Sequence, residues 1–515
     1  MRAPERIPYK WIVATVYVFG LFIDILDTTI VNVALPTLAR EFHADTHLIE
    51  WVVLGYLLSL AVWIPASGWI GDKFGTKKTF LAALGMFVAA SMLCGLSQNL
   101  GQLIAFRVIQ GVGGGMLNPV GVTMLFRAFP PDERAKASAV LIVPTVLAPA
   151  AGPLIGGLLV DHASWRWIFY VNLPVGIVAF VIGALFLREH REERAGGFDV
   201  GGFVLSALGL VLVLYALSQG PTQGWTSIEV VGTAIGGLVC FGLLVLVERR
   251  PEPMLALRLF RDRMFRNANL ASLFSFGSLF GLIFVMPLFL QQLRGLSAFQ
   301  SGLTTAPQAI GVIASSQFAG RLYPIIGPRR LVAGGLIFVA ITQLALQWVS
   351  LDTSLWWVGL ILFTRGVGSA FSFVPLQAAT FATIRPQDTG RASALYNTQR
   401  QVAAALGTAL FATTLISRTN HRVAAVAPSA GPAGVTHARL LGFHDAFLVA
   451  SVMALLAALA ALLIHDEDAA ETMRSRAKAP ERTKMGQTDA AKPDSPPAAD
   501  PVGPSANPPE AESTH

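Results

Sequence analysis

Two carboxylates stand inside the first long apolar stretch of the chain. Asp24 and Asp27 interrupt the run from Trp11 to Pro36, which is otherwise long enough to cross a bilayer. Because they are three residues apart, they share one face of a helix. An ionised carboxylate in hydrocarbon is so unfavourable that such residues usually face a protein interior or a water-filled cavity, where they bind ions or protons. The spacing therefore predicts a proton or cation site on the first helix.

A later arginine is the expected partner of these acids. Arg107 stands in an apolar stretch in the pattern Arg107-x-x-Gln110-Gly111, and arginine keeps its charge in almost any setting. Beside the acids its charge would favour ionised carboxylates, whereas the loss of water would favour protonated ones. The balance of these effects can place a proton site near physiological pH. The alternative is an arginine that only anchors a contact between buried helices.

The composition restricts the class of protein that must position these groups. Apolar residues make up 53% of the 515 residues and charged residues 13%, which is typical of an integral membrane protein. The net charge of +7 comes from basic residues spread over short loops, so nucleic acid is not an expected partner. Both cysteines lie in apolar stretches and indicate no disulfide or redox site. No phosphate-binding loop is present, which excludes ATP as the expected energy source.

The apolar segments predict an all-α membrane protein with fourteen transmembrane helices. They begin near residues 11, 48, 79, 101, 136, 167, 200, 228, 268, 301, 331, 354, 393 and 444. Most lysines and arginines stand in the loops after even-numbered segments, and cytoplasmic loops attract positive charge. Both termini are therefore expected in the cytoplasm.

An internal repeat predicts two six-helix halves of parallel orientation. The segment from Gly68 to Lys78 is echoed by the segment from Gly320 to Arg330, and Arg107 is echoed by Arg365. Parallel repeats of this kind are the plan of the large secondary transporters, whose substrate site lies between the halves. We predict a cytoplasmic N-terminus at 1–10, halves at 11–190 and 266–465, two extra helices with linkers at 191–265, and a disordered cytoplasmic tail at 466–515.

The loop after the second span resembles the motif of the major facilitator superfamily. The matching residues are Gly68, Gly71, Asp72, Lys73, Gly75, Lys77 and Lys78. The resemblance implies a cytoplasmic gate in which Asp72 pairs with Arg134 or another basic residue. We expect Asp72 near the start of the third span, where the helix dipole favours an anion. The alternative is a basic loop that only sets topology.

A proline- and glycine-rich stretch resembles the antiporter motif of the same superfamily. It contains Pro149, Gly152, Pro153, Gly156 and Gly157. Glycines four residues apart let helices approach closely, and a proline bends its helix. We expect a flexible interface between the halves. The alternative is a packing seam without a gating role.

Two further stretches are similar to the fourteen-span drug:proton antiporters of the EmrB/QacA subfamily. They run from Leu26 to Pro36 and from Trp165 to Gly176. The resemblance implies that Asp27 is the acid of span 1, and that the chain exports amphipathic or cationic compounds across a bacterial inner membrane. The proton is then the coupling ion, with no other cofactor. Whether a periplasmic adaptor protein takes part stays open.

Several other residues are candidates for the transport pathway. The predicted cavity residues are Asn32, Tyr56, Arg365, Tyr396 and Arg400. His43 and His47 stand four residues apart, but without a third ligand they predict no metal site. Export of an endogenous lipid or metabolite would leave the same motifs. A non-transporting membrane sensor or scaffold on this fold is the alternative of another class.

Overall fold

The computed structural model describes residues 8–44, 46–192, 197–247, 256–426 and 431–473, and within these ranges the chain is helical, with no β-strand. The long helices are α1 (Tyr9–Glu41), α2 (Trp51–Phe74), α3 (Thr76–Leu96), α4 (Leu100–Ala128), α5 (Arg134–His162), α6 (Asn172–Phe186), α7 (Val200–Gln223), α8 (Ile228–Val247), α9 (Arg263–Leu288), α10 (Ala298–Ile326), α11 (Pro328–Leu344), α12 (Leu355–Thr380), α13 (Thr389–Val426) and α14 (Gly431–Ala461). An all-helical membrane fold was the expectation from the apolar segments, and it is confirmed.

Twelve helical segments in the described ranges are long and apolar enough to cross a membrane. The helices α5 and α10 have 29 residues each but are not among the twelve. The predicted count of fourteen spans is therefore larger than the number found by length and apolarity.

The two halves repeat the same packing. In the first half α4 lies against α2 and α3, and in the second half α12 lies against α10 and α11. The halves meet along two seams, where α5 packs on α10 and α2 packs on α13. The inserted helix α7 packs on both α2 and α13, whereas α8 packs mainly on α7. The inserted pair thus covers one of the two seams.

One carboxylate caps the third helix of each half. The oxygens of Glu189 accept the backbone N–H groups of Lys77 and Lys78, at 3.0 and 3.2 Å, at the start of α3. Asp466 accepts the N–H of Arg329 at 2.8 Å at the start of α11. Exposed N–H groups and the helix dipole make a helix N-terminus favourable for an anion.

Glycine is required beside each cap. Gly75 has φ of +100° and Gly327 has φ of +87°. A Cβ at Gly75 would lie 2.3 Å from an oxygen of Glu189, and one at Gly327 would lie 2.7 Å from Asp466. Both the left-handed backbone and the space that the cap needs therefore exclude a side chain.

The predicted disordered tail begins too early in the chain. Short helices form over Asp466–Ala469 and Ala470–Met473. Asp468 is ion-paired with Arg263 at 2.7 Å, and the hydrogen bond from that arginine lowers the pKa of the carboxyl below its usual range. Thr472 contacts the hydroxyl of Tyr323 at 2.8 Å. These contacts hold residues 466–473 in place, although sequence composition alone assigned them to the tail. Residues 474–515 lie outside the described ranges.

Candidate functional site

Asp27 is held by three donors in the interior of the first half. Its Oδ2 accepts Nη1 of Arg107 at 2.5 Å, and its Oδ1 accepts Nε2 of Gln110 and Nδ2 of Asn172, both at 2.9 Å. All four side chains are fully buried. The donors belong to α4 and α6, so the carboxylate ties α1 to both helices. A buried carboxylate requires this kind of compensation, because an unpaired charge in the interior is strongly unfavourable.

Arg107 makes further contacts with α2. Its Nε donates to the carbonyl oxygen of Val52 at 3.0 Å, and its guanidinium lies 4.2 Å from the ring centre of Tyr56. Removal of one member of a buried ion pair typically costs about 3–5 kcal/mol. The position of α2 is thus linked to the state of the ion pair between α1 and α4.

Asp24 lies in a different setting from Asp27. Its Oδ1 accepts the hydroxyl of Tyr56 at 2.6 Å, its exposed fraction is 7%, and no ion pair reaches it from the described chain. Since Tyr56 stacks on Arg107 and donates to Asp24, one side chain contacts the surroundings of both acids. The two carboxylates share a helix face but not an environment.

A cavity of about 50 Å³ lies between the halves. Helices α1, α4 and α5 line it from the first half and α9, α10, α12 and α13 from the second. This volume admits a few water molecules, whereas drug-sized ligands need pockets of about 300–1,000 Å³. The cavity in this structure is therefore too small for a drug-sized molecule.

The predicted pathway residues divide into two groups. Tyr396 and Arg400 line the cavity. Tyr56 is buried beside Asp24, which stands one helical turn beyond the cavity-lining Leu21. Asn32 is exposed and donates to the carbonyl oxygen of Thr28 at 3.1 Å. Neither acid of α1 is among the residues that line the cavity, although the charge of Arg400 acts on Asp24.

Arg365 occupies the place in the second half that Arg107 has in the first. It is 1% exposed and has no carboxylate partner in the described residues. With the amide oxygen of Gln343 turned towards it, Nε and Nη2 of Arg365 lie 3.1 and 3.2 Å from that oxygen. The repeat thus preserves the arginine, but among the described residues only the arginine of the first half forms an ion pair with an acid.

A polar cluster closes the seam at the end of the bundle where α1 begins, which we call the N-terminal end. Oδ1 of Asp72 lies 3.3 Å from Nη2 of Arg127. The same nitrogen contacts Glu192 at 2.9 Å and, across the seam, the carbonyl oxygen of Pro386 at 3.4 Å. Arg127 is therefore the cation that connects the predicted gate residue to the second half.

Two glycines bring α2 and α13 together at this closure. A Cβ at Gly68 would lie 2.8 Å from the carbonyl oxygen of Gly390, and a Cβ at Gly390 would lie 3.1 Å from the Asp72 carboxylate. Gly390 is the second residue of α13, so the carboxylate stands at the N-terminus of a helix of the other half. The helix dipole favours an anion there.

The structure specifies two details of the predicted gate, in which Asp72 was expected to pair with Arg134 or another basic residue. Asp72 ends α2 and faces the start of α13, while the start of α3 is capped by Glu189. Arg134 donates through Nη1 to the carbonyl oxygen of Phe381 instead of pairing with Asp72. The reason is that α5 begins at Arg134 and carries its side chain across the seam. Of the motif lysines, Lys77 donates to the carbonyl oxygen of Ala184 at 2.8 Å, Lys73 is half-buried and Lys78 is exposed.

The glycines of α5 pack on α1 within the same half. A Cβ at Gly152 would lie 2.2 Å from Oγ1 of Thr29, and one at Gly156 would lie 2.9 Å from the Ile30 side chain. Gly157 faces open space, and Pro149 and Pro153 lie in the same helix. These glycines therefore lie at a contact within the first half and not at the interface between the halves, where we expected them. The glycine seam touches the turn of α1 that follows Asp27, while α5 packs separately on α10.

Some residues of the site had no role assigned from the sequence. Gln110 and Asn172 both lie in motifs that were recognised in the sequence. The signals that could have identified them are the position of Gln110 three residues after Arg107 and the polar side chain of Asn172 inside an apolar span. Arg127 and Glu189 gave none, because exposed loop charges are common. The described residues do not show a metal site at His43 and His47. His43 is exposed with φ of +49°, and the side chain of His47 lies outside the described residues.

Comparisons with known proteins agree on one family. The sequence profile of the Major Facilitator Superfamily matches residues 17–408. The chain is 32% identical over 459 residues to a putative multidrug resistance protein MdtD of Serratia proteamaculans (strain 568), covering 88% of this chain and 91% of that protein. It is 34% identical over 408 residues to a multidrug resistance protein B homolog of Mycobacterium tuberculosis (strain CDC 1551 / Oshkosh), covering 77% and 74%.

A solved structure also has this fold. The crystal structure of the human organic anion transporter MFSD10 (TETRAN) superposes with a TM-score of 0.61 at 16% sequence identity. The match covers 89% of this chain and 100% of the human one. At this identity the likeness concerns the fold alone.

Proposed function

Since the chain belongs to the Major Facilitator Superfamily, we propose that it is a membrane transporter that exports amphipathic compounds in exchange for protons. Relatives named multidrug resistance proteins, at 32% and 34% identity, support the choice of cargo. The buried ion pair between Asp27 and Arg107 is the observation that carries the proposal of proton coupling.

Protonation of Asp27 is linked to movement of α1. A neutral carboxyl would lose the ion pair with Arg107 and would accept weaker hydrogen bonds from Gln110 and Asn172, so the attachment of α1 to α4 and α6 would weaken. Thr29 and Ile30, in the following turn, pack against the glycines of α5, and α5 packs on α10 of the other half. A proton can therefore bias the arrangement of the halves through contacts of described residues, which is what coupling between two sites requires.

The energy of a proton gradient is adequate for this work. Entry of one proton down the membrane potential supplies about 2.3 kcal/mol per 100 mV. The proton is the proposed coupling ion, and the mechanism needs no other cofactor. Asp24 is a second proton candidate, because it has one neutral hydrogen-bond partner and a small exposed fraction.

The proposed topology completes the transport path. We place α5 and α10 in the membrane as well, giving fourteen spans, because both helices pack in the centre of the bundle. Both termini would lie in the cytoplasm of a bacterium and the chain in its inner membrane, with the N-terminal end facing the cytoplasm. The Asp72 and Arg127 contacts then form the cytoplasmic gate, which would open to admit cargo. A periplasmic adaptor protein would act beyond the opposite end.

Gradient-driven movement of cargo tests this function. The purified chain is reconstituted in proteoliposomes, a pH gradient is imposed, and transport of a panel of fluorescent amphiphiles is recorded with and without an uncoupler. Asp352→Asn, which changes an exposed carboxylate between α11 and α12, is the matched control. We expect gradient-dependent transport by the wild type and the control. Binding of the amphiphiles without transport would favour a membrane sensor instead.

A further inference from the structure

Arg400 presents a positive charge to the central cavity without an ion pair of its own among the described residues. This arginine of α13 lines the cavity and is half-buried. No carboxylate forms an ion pair with it, and no hydrogen bond reaches it, in the part of the chain that the structure describes. Its one described aromatic contact is with Phe276, whose ring centre lies 6.0 Å from the guanidinium carbon.

The other lining groups are neutral. Among the described residues around the cavity, Arg400 carries the single formal charge. The amides Asn118, Gln308 and Gln377 offer hydrogen bonds, and Phe276, Phe373 and Tyr396 offer aromatic surface. The nearest acid of α1, Asp24, accepts the hydroxyl of Tyr56 one turn beyond the cavity wall, and it interacts with Arg400 only through the electrostatic field, without a direct contact. The cavity therefore combines a cation, neutral donors and an apolar surface.

We propose that the central cavity selects amphiphiles with an anionic head group, which pairs with the guanidinium of Arg400. This inference rests on the proposed export function, because it assumes that cargo passes through this cavity. An anionic oxygen pair fits a guanidinium in two parallel charge-assisted hydrogen bonds. The aromatic side chains pack on the apolar body of the cargo. A lipophilic cation would instead meet a like charge, which discriminates against it.

The separation of the proton and cargo sites permits this selectivity. If one carboxylate bound protons and cargo in turn, the cargo would have to be a cation. Asp27 lies outside the cavity and is enclosed by Arg107, Gln110 and Asn172. Coupling then passes through helix movement, so the cavity residues alone set the charge of the cargo. Of the amphipathic or cationic compounds expected from the sequence, the proposal therefore favours amphiphiles without a positive charge.

A pair of probes that differ in charge tests the proposal. The full chain in lipid nanodiscs is titrated with 1-pyrenebutyrate and with 4-(1-pyrenyl)butyltrimethylammonium, and binding to empty nanodiscs is subtracted. The variants are Arg400→Gln, Arg400→Lys and the control Arg418→Gln, an exposed arginine on the same helix. The same samples are then assayed in proteoliposomes for gradient-driven transport.

We expect the wild type to bind the anion at least about tenfold more tightly than the cation. Arg400→Gln should lose at least about tenfold in anion affinity, Arg400→Lys should keep the preference, and Arg418→Gln should match the wild type. Equal affinities in the wild type, a ratio unchanged by Arg400→Gln, or binding of neither probe would overturn the proposal. Gradient-driven transport without any dependence on Arg400 would leave the export function intact and reject the anion site. Anion-selective binding without transport would support the anion site and reject the export function.

Discussion

The hydroxyl of Tyr56 donates a hydrogen bond of 2.6 Å to Asp24. The ring of the same tyrosine lies under the guanidinium of Arg107, which holds Asp27. A single side chain of α2 therefore contacts one acid directly and the ion pair of the other acid through its ring. This arrangement makes α2 a participant in any change of charge on α1.

Tyr56→Phe should keep the ring contact and remove the donor to Asp24. Leaving the buried carboxylate of Asp24 without its donor costs the folded state about 1–3 kcal/mol. We therefore expect a lower free energy of unfolding and fewer protons moved per cargo molecule. Tyr170→Phe is the control, because the hydroxyl of Tyr170 has no hydrogen bond to any of the described residues. Thermal unfolding in detergent and proton counting in proteoliposomes measure both effects. Equal behaviour of the two variants would contradict the role of Tyr56.

Gly68→Ala should prevent closure of the N-terminal end. The added methyl group would lie 2.8 Å from the carbonyl oxygen of Gly390, and backbone cannot yield as a side chain does. A cysteine at the cavity-lining position Gln377, in a chain lacking the native cysteines, reports access from that end by its labelling rate. We expect faster labelling than in the parent.

Gly334→Ala is the control for this experiment, because a Cβ there meets nothing within 4 Å. It should leave the labelling rate unchanged. If both alanine variants were labelled at the same rate as the parent, close contact between α2 and α13 would not be what shuts this end.

A double-mutant cycle should assign the partner of Asp72. Asp72→Asn and Arg127→Gln should be coupled in their effect on unfolding free energy by about 0.5–3 kcal/mol, because their side chains are in contact. Asp72→Asn and Arg134→Gln should be additive to within about 0.5 kcal/mol, because Arg134 contacts Phe381 instead. The opposite pattern of coupling would instead assign Arg134 as the partner of Asp72.

Truncation should locate the true end of the folded unit. A chain ending at Met473 should unfold at the temperature of the full chain, whereas one ending at His465 loses the cap of α11 and the Asp468 contact with Arg263. Loss of a cap costs about 0.5–2 kcal/mol. Equal unfolding temperatures for both truncations would show that residues 466–473 add no stability.

The Asp468 contact also predicts the sign of a pH effect. Because Arg263 lowers the pKa of Asp468, the pair stabilises the fold above the ordinary pKa of an aspartate and is lost as the pH falls through the lowered value. The difference between the chain ending at Met473 and a matched Asp468→Asn chain should therefore shrink on acidification. A difference that grew in acid would contradict the assigned pair.

Much of the architecture followed from patterns of single residues. The spacing of Asp24 and Asp27 placed both on one helix face, and the echo of Gly68 to Lys78 at Gly320 to Arg330 predicted two halves, whose helices pack in the same pattern. Apolar length alone predicted the starts of most helices, since a span needs about 20 apolar residues.

The partners across the seam could not be predicted in this way. Arg127 and Arg134 are both close in sequence to the end of α4, and only the direction in which α5 begins decides which one reaches Asp72. Glu189 caps α3 from a position more than a hundred residues away along the chain. The neutral lining around Arg400 depends on which faces of several helices turn inward, and periodicity does not specify this for helices that are apolar all round.

Proton movement on addition of cargo tests the central claim most directly. Proteoliposomes containing a pH-sensitive dye carry wild type, Asp27→Asn or the double variant Asp27→Asn with Arg107→Gln, which removes both charges of the buried pair and avoids leaving one unpaired. We predict proton flux that depends on cargo in the wild type and none in the double variant, with both shown to be folded by size-exclusion chromatography. Undiminished cargo-dependent proton flux in the folded double variant would contradict the account.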